Sequence, residues 1–136
     1  MASSLNKFNC FVADVSNKVH NLGSDQLKIA LTNTLPVATN TVLANITEIS
    51  YTNASSRNVT TTSSTQTSGT YKLLLAQTVV TASGTVGPFR YVVLYNSTAS
   101  GGPLIGWYDY GSALTLGSTD TFTTGFDQTN GEMQMT

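Results

Sequence analysis

Apolar residues near the start of the chain recur at spacings of three and four: Phe8, Phe11, Val12, Val15, Val19 and Leu22. That is the stripe of an amphipathic helix, with Asn9, Asp14, Asn17, Lys18 and Asn21 falling mostly elsewhere on the wheel. Gly23 stands just past the last apolar position, where a left-handed residue ends a helix. The spacing predicts one helix over residues 7–21, about four turns long. No second helical stripe follows, so this helix has to cover a sheet or a partner chain.

After Gly23 the period changes to two. Leu27, Ile29 and Leu31 alternate with Gln26, Lys28 and Ala30, and Asn33, Pro36 and Asn40 then signal a loop. Further strands are predicted at ITEISY (46–51), RNVTTT (57–62) and FRYVVLYN (89–96). TYKLLLAQTVVTA (70–82) reads as one long strand, or as two with a kink near Gln77. PLIGWYDY, SALTL, DTFTTGFD and GEMQMT complete the set, and the polar run SSTQTSG (63–69) reads as a turn or exposed connection. Short strands separated by Gly, Asn and Pro point to an antiparallel sandwich or barrel.

Two strands break the expected alternation. FRYVVLYN puts Phe89, Tyr91, Val93 and Tyr95 on one face and Val92 and Leu94 on the other. TYKLLLA sets Leu73 and Leu75 against Leu74. A strand with one wet face alternates cleanly, so both sides of these strands are covered, by the N-terminal helix or by a neighbouring subunit.

Composition narrows the class. The chain has 136 residues, about a third of them Thr, Ser and Asn, which fits one domain spanning 1–136: the helix at 7–21, then the β-sandwich at about 25–136. Six basic and seven acidic residues without a cluster of either sign argue against a nucleic-acid groove or an anionic-membrane surface. The opening MASSLNKFNC has no apolar run of signal-peptide length, and the longest apolar run, Tyr91 to Tyr95, is too short to span a bilayer. One Cys leaves no intrachain disulfide, and one Cys with one His leaves no Cys/His metal cage.

Catalytic chemistry finds little purchase. On the predicted helix, Cys10 and His20 lie about 80° apart around the axis and about 15 Å along it, beyond nucleophile–base reach. Cys10 reads as a small reduced helix-face residue. His20 reads as a polar residue near the helix C-terminus, its positive form favoured by the dipole. The acids are Asp14, Asp25, Glu48, Asp109, Asp120, Asp127 and Glu132. Asp25, Asp120 and Asp127 sit in turn-like contexts, where Asp bonds its own backbone. A glycosidase-like pair, with Glu48 or Asp109 as a member, requires two carboxylates facing across a cleft. No phosphate loop or nucleophile elbow is present, and the four Asn-x-Ser/Thr triplets are expected from composition. The expectation is a non-enzymatic protein with no cofactor and no bound metal.

The segment GWYDYG holds three aromatics, which suit a core strand with a wet rim, a protein interface or a sugar platform. On a strand, Trp107 and Asp109 face one way, Tyr108 and Tyr110 the other. With the apolar strand faces, the candidate interface residues are Trp107, Tyr108, Tyr110, Phe89 and Tyr91.

Several segments, in order, carry a resemblance: KFNCFVADVSNKVHNLGSDQLKIALTNTLPVATNT, ITEI, SGTYKL, GPFRYVVLYN, PLIGWYDYGS and FDQTNG. Together they resemble a family of small virion proteins of tailed bacteriophages, including capsid cement (decoration) proteins. The resemblance implies a β-sandwich with a jelly-roll-like core, made in the host bacterial cytoplasm and bound as homo-oligomers to the outside of the major capsid shell. By analogy with other decoration proteins, trimers are placed ahead of dimers. The implied partners are the major capsid protein and further copies of the chain, with no nucleic acid and no membrane. Small phage β-sandwiches also serve as tail, neck or fibre components. The reading from a different class is a carbohydrate-binding or host-adhesion module that stacks sugars on Trp107, Tyr108 and Tyr110.

Overall fold

Seven residues, CFVADVS, form the helix: α1 spans Cys10–Ser16 and is the short helical part of a mainly β protein. A computed structural model describes residues 5–127, 131 and 133–135. Met1–Ser4, Gln128–Asn130, Glu132 and Thr136 lie outside the described residues, including parts of the FDQTNG and GEMQMT segments. The predicted 7–21 helix is therefore cut to half its length. Val, Asp, Ser and Cys are weak helix formers, and the ending comes at Lys18 rather than Gly23. Lys18 sits at φ +65°. Val19 N–H donates to Asp14 O at 2.9 Å and Lys18 N–H to Val15 O at 3.4 Å, the paired bonds of a Schellman ending. The stripe splits as a result: Phe8, Phe11 and Leu22 are buried, while Val12 and Val19 face solvent.

The strands are β1 (Asn6–Lys7), β2 (Leu27–Thr32), β3 (Asn58–Val59), β4 (Thr61–Thr67), β5 (Thr70–Leu75), β6 (Val79–Thr81), β7 (Val86–Asn96), β8 (Leu104–Leu116), β9 (Thr121–Thr123) and β10 (Met133–Met135). They form a five-stranded sheet in the order β1-β8-β7-β2-β3, a three-stranded sheet β10-β5-β4 and a pair β6-β9. Every described strand pairing is antiparallel. ITEISY is not a strand; it contributes one isolated bridge, Thr32 to Glu48, as the chain crosses the sheet. The 70–82 run divides into β5 and β6 at Ala76–Thr78, and PLIGWYDY with SALTL makes the single strand β8. The polar run 63–69, expected as a connection, is mostly strand β4. Its turn is Ser68–Gly69, both at positive φ (52° and 83°), the two-residue geometry that matches strand twist.

Both faces of the five-stranded sheet are covered from within the chain. On one face Leu27, Ile29, Leu31, Val92 and Leu94 join Phe11, Leu73 and Leu75, Val80 and Phe122 in the larger core. On the other, Ala30, Val93, Tyr95 and Leu104 lie under Phe8 and Ile46, with Leu43, Cys10 and Trp107 at the margin. The second face thus belongs to the segment before α1 and to the 33–51 connection. Phe89 departs from the predicted face. Register shifts between Phe89 and Tyr91, where Tyr110–Ala113 of β8 oppose Arg90 alone, place Phe89 in the larger core with Val92 and Leu94. Gly106 admits β1 across β8, since an added Cβ there would lie 2.8 Å from Asn6 O.

These backbone positions make opposite predictions. Lys18→Gly relieves a left-handed conformation and is expected to stabilise the protein by about 1 kcal/mol. Gly69→Ala, at φ +83° with no atom within 4 Å of an added Cβ, is expected to cost about 1 kcal/mol through backbone strain alone. Equilibrium urea unfolding reads both signs. Destabilisation by Lys18→Gly would refute the left-handed helix ending.

Candidate functional site

The five aromatic residues singled out in the sequence do not build one surface. Phe89 is fully buried, its ring 5.2 Å from Phe122 in an edge-on contact. Tyr91 and Tyr108 are buried as well, and Tyr108 lies 6.1 Å from the Phe126 ring. Trp107 is half-buried and stacks at a tilt on Phe8, 4.7 Å between centroids, on the opposite face of β8 from Tyr108. Tyr110, 36% exposed, leans on Phe122 at the mouth of an open cleft lined also by Leu114, Asp120 and Thr123. Phe89, Tyr91 and Tyr108 are therefore core residues of the single chain. Trp107 and Tyr110 reach the surface on different sides, so no flat three-ring platform for a sugar forms.

Four carboxylates act as ties within the fold. Asp109 receives Arg90 Nε at 2.8 Å and Arg90 Nη2 at 3.0 Å, and accepts Gly111 N–H at 2.7 Å. It thereby anchors the Tyr110–Ala113 excursion, and Arg90 holds its carboxyl below the usual range. Glu48 accepts Tyr51 Oη–H at 2.7 Å and lies 4.0 Å from Arg57, whose guanidinium rides 3.6 Å over the Tyr51 ring. Asp120 accepts Gly117 N–H at 2.8 Å across its turn. Asp25 accepts Asn21 N–H at 2.8 Å and Asn96 Nδ2–H at 2.6 Å. Among the described residues no three His, Cys, Asp or Glu side chains gather closely enough to hold a metal ion.

Cys10 and His20 pack into different clusters. Cys10 Sγ lies 3.7 Å from the carbonyl oxygens of Asn40, Thr41 and Leu104, and burial pushes its thiol pKa up. His20 lies beyond the helix end, 8% exposed, its ring 5.3 Å from Phe11. The expectation of a favoured positive charge is overturned there: burial pushes its pKa down, against an opposing pull from Asp14 and Asp25.

Asn96 gives this a geometric cause that the sequence does not signal. Its Oδ1 accepts Thr98 N–H at 2.9 Å and Ala99 N–H at 3.2 Å, which fixes the orientation of the amide. Its Nδ2 therefore faces both Asp25 Oδ2 and, at 3.0 Å, His20 Nδ1. Nδ1 must accept, so the ring carries its proton on Nε2, which is buried and has no hydrogen-bond partner among the described residues. A cleft of about 440 Å³ lies alongside, between residues 15–25 and Ser64 and Tyr71. The network needs a His, an Asn and an Asp separated by up to 76 residues, which no local motif announces.

No protein-family model, curated protein or solved structure matches the chain.

The His20 arrangement predicts a pH dependence. The unfolded ring takes up a proton near pH 6.5, and the folded ring does so only below that. In that interval the unfolded state binds more protons, so the His20 contribution is full above about pH 6.5 and declines as the pH falls below it. The urea midpoint is expected to drop from pH 7.5 to 5.5 in the native chain and to drop less in His20→Asn, which keeps an acceptor for Asn96. Equal slopes, or an imidazole NMR titration at or above 6.5, would contradict the arrangement.

Proposed function

We propose that this chain is a non-enzymatic structural protein of a bacteriophage virion, a cement protein that binds the outer surface of the major capsid shell. The observation that carries the reading is a set of exposed apolar side chains on α1 and on the 33–42 loop that is hydrogen-bonded to its start. Asn9 N–H donates to Ala38 O at 2.9 Å, which ties the two segments together. Each leaves apolar side chains in solvent: Val12 is 53% exposed, Leu35 61% and Val37 55%. Such side chains gain from burial against another protein. The ordered series of segments that resemble phage cement proteins supplies the identity of that partner. The engagement of Asp25, Glu48, Asp109 and Asp120 in the fold fits a protein whose work is attachment.

On this reading the antiparallel sheets are a jelly-roll-like sandwich that presents the α1 surface to the shell. A ligand selective for the assembled lattice stabilises it by mass action, and contacts repeated over a closed shell reinforce one another. The native chain is expected to raise the melting temperature of undecorated, expanded heads. Val12→Asp and Val37→Asp each remove about 1 kcal/mol of burial, or about fivefold in affinity, without changing the chain's own unfolding. Cryo-electron microscopy of the virion gives the location. Copies over the icosahedral surface support the cement role; density confined to the tail or one vertex replaces it with a tail or neck role.

A further inference from the structure

Among the described residues, the edge strands other than β4 are only two or three residues long. β1 and β3 are two residues long, and β1 carries Lys7. Beyond β3 the margin of β2 is sealed by Ile49 N–H on Leu31 O (3.0 Å), Leu31 N–H on Tyr51 Oη (2.8 Å) and Arg57 Nη1–H on Ile29 O (2.7 Å). The three-residue β6 is met by Ser55, through Ser55 N–H on Thr81 O (3.0 Å) and Thr81 N–H on Ser55 Oγ (2.8 Å). β4 is different: a seven-residue strand, TTSSTQT, at the end of its sheet, with no main-chain partner on its outer side among the described residues. It has no charge and no proline, the usual guards of an edge, and its irregularity is confined to Thr61–Ser63.

The turn geometry identifies the open groups. A two-residue turn with both residues at positive φ makes Thr67 and Thr70 a hydrogen-bonded pair. Alternation along the ladder then bonds Thr65 to Lys72 and Ser63 to Leu74, and turns the N–H and C=O of Ser64 and Gln66 outward.

We propose that β4 pairs antiparallel with β4 of a second copy of this chain, about a two-fold axis at Thr65. Ser64 of each copy then meets Gln66 of the other, and each pair exchanges an N–H···O bond in both directions. All the outward groups of Ser64 and Gln66 are satisfied with none left over. The edge is complementary to itself, the requirement of a two-fold contact. Thr65 opposes Thr65 in a non-hydrogen-bonded pair, where side chains approach most closely and β-branched residues pack well. Electrostatics favour the same occupant. An uncharged strand meets no like charge across the axis, and the flanking Lys72 side chains end up three strand spacings apart, about 14 Å, beyond the screening length of about 8 Å at physiological salt. The contact is small, so the dimer is weak in free solution and gains wherever copies are held side by side. This inference rests on main-chain geometry and holds wherever the protein works.

Sedimentation velocity of the full-length chain at concentrations up to about 1 mM tests it, with far-UV circular dichroism confirming that each variant is folded. The native chain is expected to dimerise. Thr65→Lys and Thr65→Glu, each placing like charges face to face, are expected to weaken dimerisation at least tenfold. An equimolar mixture of the two is expected to restore it as a heterodimer. A native chain that stays monomeric overturns the proposal. So does a Thr65→Lys protein that dimerises like the native chain, or a mixture that fails to re-form the dimer.

Discussion

The fold is organised by the need to hide both sides of β7. Val92 and Leu94 point one way, Val93 and Tyr95 the other, and all four are buried. β2, paired alongside, has the same difficulty in milder form, with Ala30 on the side opposite Leu27, Ile29 and Leu31. A two-sided apolar strand forces a cover on each face. The first cover comes from the small sheets and α1. The second comes from Phe8 and the 33–51 connection, with Ile46 pressed onto the sheet and Leu43 at its margin. That assignment removes the need for a neighbouring subunit over either face of this sheet.

How much of this was legible in the sequence varies with what each residue answers to. Leu27, Ile29 and Leu31 answer to a local period, and their strand is where that period puts it. The doubled apolar faces of β7 were legible for the same reason. Phe89 falls on the other face because an excursion in β8, more than twenty residues away in sequence, shifts the register. β4 was missed because Thr, Ser and Gln carry no hydrophobic alternation; its strand comes from the Ser68–Gly69 turn and from β5. The helix was overextended because Val19 and Leu22 keep the helical spacing after Lys18 has already turned the chain. Of the candidate site residues, the facing of Trp107 and Tyr108 followed from strand alternation. The burial of Tyr108 and the fixed orientation of the Asn96 amide depend on contacts distant in sequence.

Polar side chains in this protein largely do the work of missing backbone partners. Tyr51 and Arg57 finish the hydrogen bonding of β2, Asp109 holds the loop of an interrupted strand, and Asn96 joins the end of β7 to the turn that follows it. With few charges in the chain, most of these bonds come from neutral groups or short local pairs. Such bonds are nearly indifferent to salt, so the fold draws little on long-range electrostatics.

The placement of Phe8 also dictates when the molecule can be completed. Asn6 and Lys7 pair with Trp107 and Gly106, and Phe8 N–H bonds Ile105 O at 3.1 Å, so the first described strand finds its partner about a hundred residues later. On a ribosome the N-terminal segment emerges early and has to wait, its aromatic ring uncovered, until β8 has left the exit tunnel. Contacts this distant slow folding, because a long loop closes before they return any stabilisation. The docking of Phe8 and β1 therefore waits on the synthesis of β8, about a hundred residues further along the chain.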